Sequence, residues 1–118
     1  MTMKDASGST VMAPAEVAVV DQLVKVAPAA IVSRVLARSP GGSVTVFAFA
    51  AGQELAEHTA PFDALVHVAS GQLELAIGGK PVTVNAGEIV LMPAGVPHAL
   101  RAAADSKMIL TMLRGQGA

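Results

Sequence analysis

The sequence predicts a single all-β domain. Three observations predict it: short runs rich in β-branched and other apolar residues, turn residues that close each run, and no amphipathic stretch suited to a crossover helix. A chain of 118 residues cut in two would leave pieces too small to bury a core, so the runs belong to one unit. The opening "MTMKDASGST" is small and polar without periodicity, so a flexible tail over 1–15 is expected ahead of a barrel domain over 16–118. From Val17 to Val26, "VAVVDQLVKV" fits a short helix through Val17, Val20 and Val24, and its valine content fits an edge strand equally well.

After Pro28 the strand pattern takes over. "AIVSRVLA" ends at "SPGG", and "SVTVFAFA" ends at Gly52. "DALVHVAS", "QLELAI", "PVTVN", "EIVLMP", "HALRAA" and "KMILTML" follow, each closed by Gly, Pro, Asn or Asp. "IGGKPV" places Gly78 and Gly79 where a tight hairpin needs positive φ, and "VNAGE" offers Asn85 and Gly87 for the same purpose. No repeat and no linker interrupts the region from Ala30 to Arg114, which reads as an antiparallel sandwich or barrel.

Composition narrows the function classes. Hydrophobic residues make up 53% of the chain and charged residues 14%, a lean surface that implies cover from a second subunit, so a homo-oligomer is expected. A net charge of -1, 3% aromatic residues and no Trp or Tyr leave neither the electrostatic footprint nor the stacking platforms of a nucleic-acid binder. Without Cys there is no disulfide frame and no thiolate site, and the cytoplasm is the expected compartment. Asp5 beside Lys4, and Pro14 and Glu16 within the first apolar stretch, argue against a secretory signal. No run is long enough to span a bilayer as a helix, so no membrane partner is expected.

The chemistry-bearing candidates are the three histidines, His58, His67 and His98. Two of them sit in parallel settings: G-x5-H runs from Gly52 to His58 in a segment closing at Gly71, and G-x5-P-x-G-x2-H runs from Gly87 through Pro93 and Gly95 to His98. The glycines and prolines turn strand corners so that two strands aim their histidines into one lumen. On these motifs the chain resembles the cupin superfamily, small jelly-roll β-barrels, specifically a small single-domain protein of the conserved-barrel type with a degenerate first motif. The second cupin motif lacks only its final Asn, which is Ala102 here; the first keeps Gly52, His58 and Gly71 but has Ala60 for its second His and Ala64 for its Glu.

The resemblance implies a metal site of three His and one Glu, of which His58 and His98 remain. Two imidazoles make a weak site for Zn, Fe, Mn, Ni or Cu. Asp63, Glu57 and His67 are candidates to complete it, but each has the wrong strand parity and needs an irregular strand to point inward. Two readings of the pair stay open: one divalent transition metal, or hydrogen bonds to water and carbonyls in a metal-free barrel. For His67 the alternatives are a third metal ligand and a structural contact on a sheet face or between subunits.

The small apolar Ala60 and Ala64, with Val66 and Met92, and Phe62 as a wall and Asp63 as a polar contact, outline a ligand pocket. The leading function is a barrel that binds a small molecule beside a reduced two-histidine metal site. The alternatives are a metal-dependent oxygenase, isomerase or lyase using His58, His98 and a further ligand, and a regulatory dimer without ligand. The resemblance further implies a homodimer in which one sheet of each barrel packs on its partner. Neither a hydrolase triad nor a phosphate cradle is present in the sequence.

Overall fold

The computed structural model describes residues 11–114. Among them nine strands follow in order: β1 (Ile31–Ser39), β2 (Gly42–Phe49), β3 (Glu54–His58), β4 (Asp63–Ser70), β5 (Gln72–Ile77), β6 (Lys80–Asn85), β7 (Ile89–Met92), β8 (His98–Ala102) and β9 (Ser106–Leu113). A five-stranded sheet in the order β1-β2-β9-β4-β7 faces a four-stranded sheet in the order β3-β8-β5-β6. Every pairing is antiparallel, so the fold is the expected all-β jelly roll in one domain.

All eight expected runs are strands, and the structure adds β3. Its residues, "ELAEH", are mostly good helix formers without β-branching, so propensity conceals it. Pairing with β8 along the sheet edge imposes the extended form. The Gly78–Gly79 turn is the expected hairpin, with φ of +58° and +80° at its two glycines and Ile77 paired to Lys80. "VNAGE" is not a hairpin, because β6 and β7 lie in different sheets and the turn carries the chain from one to the other. Gly87 takes a φ of +87° there, while Asn85 stays in its strand and its N–H donates to Glu88 Oε1 at 2.8 Å.

The main core lies between the sheets. Alternation along β4 sends Ala64, Val66 and Val68 inward, where they meet Leu73, Leu75, Leu100, Met92, Met108 and Phe49. Burying each large apolar side chain stabilises the fold by about 1.5–3 kcal/mol relative to leaving it in water. A second cluster lies on the outer face of the larger sheet, where Val24, with Met12, Leu23 and Val26, packs on Leu36, Val46 and Ala48. The ambiguous 17–26 stretch is thus a covering strap, with a single 3-10 turn at Val20–Gln22 and no strand. Lys107 Nζ anchors it to Asp21 Oδ1 at 3.0 Å, and Met12 N–H donates to Leu36 O at 2.9 Å. Of the expected tail over 1–15, the first ten residues lie outside the described residues. No helix among the described residues is long and apolar enough to cross a membrane.

Candidate functional site

The inward series of β8 is His98, Leu100 and Ala102, all buried, with His98 only 5% exposed. Opposite it, β3 sets Leu55 against Leu100 and His58 against His98, so two residues on β3, Ala56 and Glu57, stand against one on β8, Ala99. A regular pleat would place Glu57 across from His98; the bulge puts His58 there instead. The two rings meet edge to face, with centroids 4.4 Å apart and planes at 71°, and the Nε2 atoms are 3.1 Å apart.

The other ring nitrogens fix the tautomers. His58 Nδ1 lies 2.9 Å from Ala56 O and His98 Nδ1 lies 3.2 Å from Val96 O. A carbonyl oxygen only accepts, so each Nδ1 is assigned its hydrogen from the bonding network, and each Nε2 is left with a lone pair. With both rings neutral, two lone pairs then face each other, an arrangement that a metal ion or a single shared proton between them relieves. Metal-bound histidines are held by the same outer bond, from the second ring nitrogen to a backbone carbonyl. Two nitrogens each about 2.1 Å from one ion stand roughly 3.0–3.4 Å apart as the angle at the ion opens from square to tetrahedral. The observed spacing fits a two-histidine site.

No further ligand joins them. Among the described residues there is no group of three or more His, Asp or Glu suited to hold an ion. His67 is exposed on the outer face of the larger sheet, between Ile89 of β7 and Ile109 of β9. Glu57 is exposed on the bulge. Asp63 has a structural task, with Oδ1 accepting from Ala94 N–H at 2.8 Å. Ala60 O accepts from Gly95 N–H at 2.8 Å, so the loops of the two motifs are stitched together just where they deliver His58 and His98.

The expected pocket residues divide. Ala64, Val66 and Met92 are buried members of the main core, where Ala64 has Met92 and Met112 as its cross-strand neighbours. Ala60 and Phe62 lie on the β3–β4 loop and are half-buried, and the Phe62 ring carries the Arg114 guanidinium 5.3 Å from its centroid. Nothing along the chain marks that arginine, because only folding brings the end of β9 beside this loop, through the pairing of Leu113 with Asp63. Arg101, across the sheet from the lumen, is ion-paired to Glu74 at 3.0 Å.

Two antiparallel sheets with a histidine pair delivered from two glycine-bracketed corners define the class, a small jelly-roll barrel. The family model described as "Cupin domain" matches residues 45–114, and the chain belongs to the cupin family. Among solved structures it is similar to a conserved protein of unknown function from Streptococcus pyogenes, 33% identical over 90% of this chain and 93% of that one, with a TM-score of 0.83. A cupin 2 conserved barrel domain protein from Leptotrichia buccalis is 36% identical over 78% of this chain, with a TM-score of 0.74; the match spans 45% of that protein. A cupin superfamily protein from Desulfitobacterium hafniense shares the fold at 19% identity and a TM-score of 0.80, over 93% of this chain and all of that one. The search of curated proteins found no match.

Proposed function

We propose that the protein binds a small molecule in its barrel beside His58 and His98, and that these two residues would hold one divalent transition metal ion. The observation that carries this reading is the 3.1 Å approach of two nitrogens whose Nδ1 partners are both committed to carbonyls. His98, buried and backed by the core, sets the position; His58, exposed at the sheet edge, leaves the site open to entering molecules. A bound ion would supply Lewis acidity toward an oxygen of that molecule. With two protein donors, most of its coordination falls to water or ligand, so the chain favours holding a molecule over a fixed catalytic geometry.

The test is elemental analysis of protein purified without affinity tag or chelator, beside the His58→Ala, His98→Ala double variant with its fold checked by circular dichroism. The expected result is about one transition-metal ion per chain in the native protein and loss of it in the variant. Equal metal content in both forms, or none taken up from added Zn, Fe, Mn, Ni or Cu, overturns the reading.

We also infer that the protein is a homodimer. Ile89 and Leu91 on β7 and Leu113 on β9 are 60%, 50% and 47% exposed, and they share the outer face of the larger sheet with Leu65 and His67. So apolar a face, on a chain with 14% charged residues, suits a second copy of the same surface.

A further inference from the structure

We propose that the barrel mouth carries an oxyanion pocket built by Arg38 and Arg114, and that the molecule taken up is an organic carboxylate. The ligand class rests on the small-molecule reading above.

A cavity of about 340 Å³ opens at the ends of β1, β2 and β9, lined chiefly by Val35, Arg38, Ser43, Thr45, Met112 and Arg114. A bulge builds it, the same device that delivers His58. On β1 the register shifts between Val35 and Ala37, so Arg38 rather than Ala37 stands opposite Ser43 on the inward face. On β9, Met112 turns inward against Ser43 and Ala64, and alternation returns Arg114 to the same side. Backbone and ring hold Arg114 in place: its N–H donates to Gly41 O at 2.8 Å, and its guanidinium rests on Phe62.

Two arginines thus line one small cavity, and none of its described lining residues is acidic. Neither arginine is ion-paired among the described residues. Two cationic side chains on one cavity favour an anion there, and Arg forks match the two oxygens of a carboxylate. The Ser43 and Thr45 hydroxyls add donors, while Val35 and Met112 give an apolar wall for a carbon chain. The cavity volume suits a molecule of small-metabolite size. Its place in the fold ties it to the histidine pair: His58 ends β3, the next loop carries Phe62 beneath Arg114, and Asp63 at the loop's end pairs with Leu113.

The experiment is calorimetric titration of the full chain with hexanoate, hexanamide and inorganic phosphate, repeated on Arg38→Gln, Arg38→Lys, Arg114→Gln and the His58→Ala, His98→Ala double variant. Hexanoate is expected to bind at least about ten-fold more tightly than hexanamide, and each Gln variant to lose about ten-fold while Arg38→Lys loses less. Both arginines are exposed, so the variants should keep the native unfolding midpoint, checked in parallel. Equal affinity for hexanoate and hexanamide, no hexanoate binding, or hexanoate binding indifferent to both Gln changes overturns the pocket. Phosphate that displaces hexanoate at equal or higher affinity overturns the organic-carboxylate class. Hexanoate binding that needs the arginines but survives the double-histidine change keeps the pocket and removes the histidine pair from ligand binding. Metal uptake without hexanoate binding does the reverse.

Discussion

Gly71 closes the first motif, and its reason is steric. It sits at φ +81°, and a Cβ there would run into Asp105 O and the Ser106 side chain. Ser106 is fully buried and already engaged, accepting from Gln72 N–H at 2.9 Å and lying 2.7 Å from Ala104 O, so it has nowhere to retreat. Gly71→Ala is therefore expected to cost on the order of 2–4 kcal/mol, read as a lower midpoint in urea unfolding with an unchanged slope. Gly52, Gly87 and Gly95 also have positive φ but open space around the missing Cβ, so backbone conformation alone accounts for them. The two histidines differ at this same scale: His98 is set in the core, and His58 is poised over it from the edge.

Among the elements, β3 decides what the site contains. Its bulge exchanges Glu57 for His58 opposite His98, and the β1 bulge exchanges Ala37 for Arg38 opposite Ser43. Both exchanges invert the face that a two-residue period predicts. The loop after β3 is held by Asp63 Oδ1 on Ala94 N–H and by Gly95 N–H on Ala60 O, so the segment leading into His98 is fixed from β4. Asp63→Ala should cost about 1 kcal/mol of stability through the lost hydrogen bond and weaken metal uptake by a similar margin. Thermal unfolding and a metal titration on one preparation check both. A stability loss with metal affinity unchanged would show that the loops are not coupled to the pair.

At the scale of the molecule, the two halves of the larger sheet's outer face have different fates. The β1–β2 side is covered by the strap from Met12 to Val26, and the β4–β7 side is left with Ile89, Leu91, Leu65 and Leu113 toward solvent. The proposed homodimer covers that side and gives His67 its place, as a polar group at the centre of an apolar contact. Ile89→Asp with Leu91→Asp puts two carboxylates opposite their symmetry mates, and light scattering is expected to show the native protein at twice the chain mass and the double variant at one. A native protein that scatters as a single chain at micromolar concentration would remove the dimer.

The amino-acid order alone carries the class of the fold, because period-two alternation and turn residues are local signals that survive without tertiary context. It also determined the two motif histidines and the loss of their partners at Ala60 and Ala64, because motif spacing is written along the chain. Only the tertiary structure decided which residues meet. The β3 strand, the His58–His98 contact, the burial of Ala64, Val66 and Met92 in the core, and the placing of Arg38 and Arg114 on one cavity all depend on pairings between distant strands. Bulges reverse side-chain parity without a signature in composition, and inter-sheet neighbours are chosen by register, a property of the pair of strands and of neither strand alone.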